Sequence, residues 1–178
     1  MKKAIIFLTD GFEEMEALVT ADILRRAGAG INLASITGRL EVTGSHDIKV
    51  VADSMFTGDI DADMLILPGG PGAESFIECK ALTNALIAHN NRGGLIAAIC
   101  AAPVTLGRLG ILKDKTATCY PSVADKLNAS AYSTDMLVID ANIITARGPG
   151  IAPTFGLELA GILAGKTEML RVKEEMLL

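Results

Sequence analysis

The sequence predicts an α/β domain on a mostly parallel sheet, and three observations carry that expectation. Short aliphatic runs alternate with longer amphipathic stretches, the pattern of repeated βαβ units. Helix start and stop signals bracket the amphipathic stretches, and Gly-, Pro- and Asn-rich turns close the aliphatic ones. Half of the 178 residues are hydrophobic and only 4% are aromatic, which is enough apolar surface for one aliphatic core of ordinary size. No linker, repeat or low-complexity segment interrupts the pattern, so residues 1–178 are expected to form one domain.

The elements follow in order. Lys3–Leu8 is a buried strand ended by Asp10-Gly11. Residues 13–27 carry apolar positions at helical spacing, acids in the first turn, arginines in the last and Gly28 beyond, all signs of a helix. Residues 31–36 are a second strand. Residues 40–53 form a polar connection in which 48–51 is the best strand candidate. Met64–Leu67 is a core strand broken by Pro68-Gly69-Gly70-Pro71-Gly72, and 73–89 then reads as one helix. Leu95–Ile99 is a fully apolar strand that runs into Cys100 and a small-residue helix at 102–109. An extended segment at 115–118, a short helix at 122–127 and a hairpin of 136–139 with Ile143–Ala146 come next. Gly148-Pro149-Gly150 opens a helical region through Leu163, and a charged helix follows Gly165.

Charge and cysteine content exclude several classes. A net charge of −5 with no basic cluster larger than a pair argues against nucleic-acid binding. The apolar run AIIFL is too short for a signal peptide core, and no stretch approaches a membrane span, so a cytoplasmic protein with no membrane partner is expected. Three cysteines, Cys79, Cys100 and Cys119, show no CxxC spacing, and there are only two histidines. Neither a disulfide framework nor a metal site is expected.

Cys100 stands where a strand ends and a helix begins, the edge at which ligands of open α/β sheets bind. A helix N-terminus lowers a thiol's pKa, and the surrounding alanines permit the tight turn of a nucleophile elbow; the same residue also reads as a buried, inert core thiol. Glu13, Glu14 and Glu16 crowd the first helical turn, where acids ordinarily complement the dipole. At the sheet edge, one of them would also serve as a proton carrier beside Cys100. The glycines of LPGGPG either make a tight turn or aim backbone N–H groups at an anion. GPG at 148–150 invites the same two readings. His89 reads as a helix-end residue and His46 as a surface one.

Five segments in order, DGFEEMEA (10–17), LRRAG (24–28), LPGGPGAE (67–74), NRGGLIAAICAAP (91–103) and ARGPG (146–150), resemble the ThiJ/PfpI family, in the branch that contains a Parkinsonism-associated deglycase. The resemblance spans essentially the whole chain and implies a flavodoxin-like three-layer sandwich, a nucleophile-elbow cysteine and a homodimer. It places Cys100 on the family's reactive cysteine and Glu16 on its protonated partner, with the Gly70 and Ala101 amides as an oxyanion pocket. Tyr120, Arg147 and His46 border that site. Tyr120 stands where many members have a histidine, His46 where this branch often has an arginine, and Cys119 is an extra thiol.

The function implied is cofactor-free chemistry on a small reactive carbonyl of the methylglyoxal type, or on its early adducts. The alternative is a redox sensor or holdase working through oxidation of Cys100. A cysteine peptidase is a weaker reading, because Tyr120 removes the base. The apolar positions of the first helix, Met15, Leu18, Val19 and Ile23, are expected at a two-fold interface, with Arg25 or Arg26 and His46 nearby.

Overall fold

Alternation decides which way each strand faces. In the computed structural model, which describes residues 1–178, the first strand β1 (Lys3–Leu8) sends Ala4, Ile6 and Leu8 into one core and Ile5 and Phe7 into another. Both sets are buried, so a continuous apolar run is what such a strand requires.

The remaining elements are α1 (Glu14–Arg26), β2 (Gly30–Ser35), β3 (Glu41–Thr43), β4 (Lys49–Val51), β5 (Ser54–Met55), β6 (Met64–Leu67), α2 (Lys80–Asn91), β7 (Leu95–Ile99), α3 (Pro103–Arg108), β8 (Thr116–Ala117), β9 (Ala131–Tyr132), β10 (Leu137–Asp140), β11 (Ile143–Ala146), α4 (Ala152–Ala164) and α5 (Lys166–Glu175). Seven strands form the central sheet in the order β10-β11-β7-β6-β1-β2-β5. Every pair is parallel except β10–β11. One face carries α1, α4 and α5, with Ile23, Leu24, Phe155 and Val172 in its core. The other carries α2 and α3, with Leu82, Leu86 and Leu106. This is the three-layer arrangement expected. No helix is long and apolar enough to cross a membrane.

The chain leaves β1 toward β2 and later returns to β6 on its other side. The carboxyl ends of β1, β6 and β7 therefore open together at a topological switch point.

Two expectations are corrected and a third is filled in. Residues 73–89 are not one helix: a 3-10 turn over Pro71–Ile77 precedes α2, and an extended Cys79 separates them. Phe76 and Leu82 are both fully buried, yet six residues of continuous helix would set them about 120° apart around the axis. The break lets each face the core. The connection 40–53 carries extended segments as expected, with Lys49–Val51 inside the 48–51 candidate and paired antiparallel with Glu41–Thr43 in a ladder of its own. Ile23 is fully buried, where a Cβ on Gly156 of α4 would meet it at 2.9 Å, so it faces its own core and no partner.

Candidate active site

Three loops bring the site together, one from each of β1, β6 and β7. Cys100 follows β7 with φ +64°, a left-handed conformation that costs a non-glycine residue about 1–3 kcal/mol. The strained turn is held from both sides. The Cys100 N–H donates to the Ala146 carbonyl at 2.9 Å, and the Cys100 carbonyl accepts from the Tyr120 N–H at 2.8 Å. The thiol is 8% exposed.

Glu16 sits in the first turn of α1 and is fully buried. Its Oε2 accepts the Gly69 N–H at 2.7 Å, while Oε1 is buried without a hydrogen-bond partner. Burial pushes the Glu16 carboxyl up to about 7, against the pull of the Gly69 N–H.

Gly69 is the joint between the two. A Cβ there would lie 2.6 Å from the Cys100 Cβ, 2.8 Å from Glu16 Oε2 and 2.9 Å from the Ala101 nitrogen. Gly70 follows at φ +92°, and its N–H, like that of Ala101, reaches the Cys100 sulfur.

The electrostatics correct the expectation of a thiol acidified by a helix N-terminus. The helix after Cys100 has only six residues, too few for much of a dipole. Burial first, then the charge and hydrogen bond of Glu16, push the Cys100 thiol up to about 12, against the Gly70 and Ala101 N–H groups. The two side chains therefore compete for a single negative charge. When Glu16 keeps its proton, the repulsion disappears and the carboxyl becomes a donor to sulfur. Thiolate is favoured in that state alone.

The other expected residues divide. Tyr120 and Arg147 line a cavity of about 420 Å³ with Pro121, Met136, Gly148 and Ile151, reached through the backbone bonds that hold Cys100. The Arg147 Nη1 donates to the Thr134 carbonyl at 3.0 Å. His46 instead belongs to the outer side of α1, where its Nδ1 lies 2.8 Å from Glu14 Oε2. Cys119 is fully buried in the core under α2 and α3, on the other side of the sheet from Cys100, and burial pushes its thiol up to about 11.

Glu13, Glu14 and His46 each offer a ligand atom within 4.8 Å of the others. Their oxygens are already engaged, Glu13 Oε2 by the Glu16 N–H and Glu14 by Ser45 and His46. The cluster works as a hydrogen-bonded cap.

Residues 2–161 match the model of the DJ-1/PfpI family. The chain belongs to that family. Protein dj-1beta of Drosophila melanogaster is 39% identical over 181 residues, 99% of this chain and 97% of the fly protein. The crystal structure of that DJ-1 protein superposes with a TM-score of 0.96 at 38% identity, covering 99% of this chain and 98% of the fly chain, and the fold is accordingly flavodoxin-like. Protein DJ-1 homolog B of Arabidopsis thaliana is 40% identical over 176 residues, which are 96% of this chain but only 40% of the plant protein. The glutathione-independent glyoxalase DJR-1.2 of Caenorhabditis elegans is 33% identical over 175 residues, 92% of this chain and 90% of that one.

Sequence reasoning missed Gly69 and Gly44. At Gly44 the Glu14 carboxylate rests where a Cβ would be, and at Gly69 the Cys100 Cβ, the Glu16 carboxylate and the Ala101 nitrogen crowd that place together. The doubled glycine of LPGGPG was the only signal for the first. TGSH offered none that separates a close approach from an ordinary turn.

Proposed function

We propose that this protein is a cofactor-independent, cysteine-dependent enzyme of the glyoxalase and deglycase type, acting on methylglyoxal-like dicarbonyls or their early adducts. One observation carries the reading. A carboxyl group poised at about 7 and a thiol share one charge across Gly69, with two N–H groups aimed at the sulfur. That arrangement suits an acid that must give up a proton and take another back within one turnover. The family's glutathione-independent glyoxalase in Caenorhabditis elegans supports the choice of substrate class.

The steps balance without a cofactor. The Cys100 thiolate adds to the aldehyde carbon, and Glu16 gives its proton to the oxygen that becomes the hemithioacetal hydroxyl. Glu16, now a carboxylate, removes the hydrogen of that carbon and returns it to the neighbouring carbonyl carbon. A second proton moves from the hydroxyl to the new alkoxide. The product is a lactoyl thioester on Cys100, which one water hydrolyses to lactate and free thiol. The Gly70 and Ala101 N–H groups would steady the oxyanion that develops in each addition.

Purified protein should convert methylglyoxal to lactate over many turnovers with no glutathione present. Cys100→Ser should abolish this, because the alcohol is not ionised near neutrality. Consumption of one equivalent per Cys100, with no lactate, would sink the enzyme reading and leave the redox sensor in its place.

The same reading includes a homodimer. Met15 is 48% exposed on α1 beside half-buried Leu18 and Val19, an apolar strip that a second copy would cover. Light scattering should give twice the chain mass, and a monomer at micromolar concentration would remove this part.

A further inference from the structure

Helix α1 starts on an unusual cap. In a standard capping box, the first residue's side chain accepts from the N–H three residues on, and that residue's glutamate reaches back to the first N–H. Glu13 performs the first half here, its Oε2 accepting the Glu16 N–H at 2.8 Å. The second half is absent. The Glu13 N–H donates instead to the Gly69 carbonyl at 3.0 Å, and Glu16 turns inward to take the Gly69 N–H at 2.7 Å.

These three bonds close a circuit. Glu13 N–H meets Gly69 O, Gly69 N–H meets Glu16 Oε2, and Glu16 N–H meets Glu13 Oε2. Because Gly69 satisfies the helix's first N–H, the glutamate that would ordinarily cap it is released toward Cys100. Gly69 packs against Cys100 as well as Glu16, whereas Glu13 reaches the site only through its bonds to Glu16 and Gly69.

We propose that Glu13 is the positioning residue of this site, holding Glu16 against Cys100 through that closed circuit. The inference adds a residue to the proposed acid–base machinery and rests on that reading only for its consequence in turnover. The reactivity of Cys100 tests the circuit with no turnover at all. Besides Cys100 and the Gly69 N–H, the charged group that bears on Glu16 is Glu13 itself, whose carboxylate disfavours a second negative charge nearby.

The experiment follows iodoacetamide labelling of Cys100 across pH in Glu13→Ala and Glu13→Gln, each alone and combined with Glu16→Gln. Melting curves confirm that every variant is folded. Glu13→Ala opens the circuit and should lower Cys100 labelling near neutral pH by about tenfold, with methylglyoxal turnover falling by about 10²-fold as the acid loses its place. Glu13→Gln keeps the acceptor oxygen, so its labelling rate should recover to within about threefold of wild type. Its pH midpoint should still move upward, because Glu16 without the neighbouring charge ionises earlier and repels the thiolate. In the Glu16→Gln background, Glu13→Ala should add little, since its effect passes through Glu16.

Wild-type rate and pH profile in Glu13→Ala would overturn the proposal. So would a loss of equal size in the Glu16→Gln background, which would show a merely structural cap. If wild-type protein does not turn over methylglyoxal while the labelling pattern holds, the function proposed above fails and the circuit stands.

Discussion

Glu14 and Glu16 are two residues apart in the first turn of one helix, both are buried, and their carboxyl groups behave in opposite ways. Burial raises both. For Glu14, bonds from the His46 ring, the His46 N–H and the Ser45 hydroxyl outweigh it and hold the carboxyl at about 2. Glu16 has only the Gly69 N–H and the Cys100 thiol to set against burial, so burial prevails and the carboxyl stands at about 7. The inner side of α1 is under-supplied with donors and the outer side is saturated. The near-neutral titration of Glu16 comes from what the surroundings withhold.

The largest effect should come from the inner carboxyl. Glu16→Gln retains the hydrogen-bonding shape but cannot carry a proton, so turnover of methylglyoxal should fall by about 10²–10⁴-fold. Stability should move the other way. A carboxyl whose folded pKa is raised stabilises the fold fully below the unfolded value of 4.5, and that contribution is lost as pH rises through about 7. The loss amounts to about 3 kcal/mol across that window. Wild-type melting temperature should therefore drop relative to Glu16→Gln as pH climbs from acid to neutral. A parallel pair of curves would break the comparison.

A second pair of variants sharpens it. Gly69→Ala places a methyl against Cys100, Glu16 and the Ala101 nitrogen at once, and Gly44→Ala places one against Glu14. Overpacking of this kind costs about 1–3 kcal/mol at either position. Only Gly69→Ala should also lose turnover and Cys100 labelling. Equal losses of activity in both would mean that the two sides of α1 are not independent.

How much of this was legible in the sequence follows from the range of the forces involved. Lys3–Leu8, Met64–Leu67, Leu95–Ile99 and Ile143–Ala146 match their strands residue for residue, because a doubly buried strand is a local apolar run with turn residues at its ends. The alternation and order of elements likewise foretold the layers. The 73–89 helix failed because its break depends on Phe76 and Leu82 both finding the core, a demand that the local pattern does not express. Cys100 stood out by its place at a strand end, the family resemblance picked Glu16 from the three acids, and the structure adds the glycine between them. The acidic thiol failed because spacing cannot weigh burial and a neighbouring carboxylate against two N–H groups. Nor does spacing reveal that three first-turn acids divide into a cap, an ion pair and a buried carboxyl with a raised pKa. Those roles depend on Gly69 and His46, more than 30 residues away in the chain.

The smallest effects belong to the outer side. Glu14 has a lowered folded pKa, so its stabilisation is present above 4.5 and is lost as pH falls toward about 2. His46 is raised, first by its hydrogen bond to Glu14 and then by that charge, so its share is present below the unfolded value of 6.5 and is lost as pH rises through the folded one. The two therefore support each other only in the window between those limits. Glu14→Gln should lower the melting temperature there, with the difference fading in acid. His46→Ala should lower it less, because Glu14 keeps the backbone N–H of residue 46 at 2.7 Å and the Ser45 hydroxyl at 3.1 Å. That smaller difference should vanish above the His46 titration, where the ring is neutral in both folded and unfolded chains. Turnover should not change, since nothing in the Cys100–Gly69–Glu16 arrangement passes through the His46 ring. Thermal melts and methylglyoxal assays across the same pH range check both halves. A His46→Ala protein that melts normally but turns over slowly would place the histidine in the chemistry, and the division between the two faces of α1 would have to be abandoned.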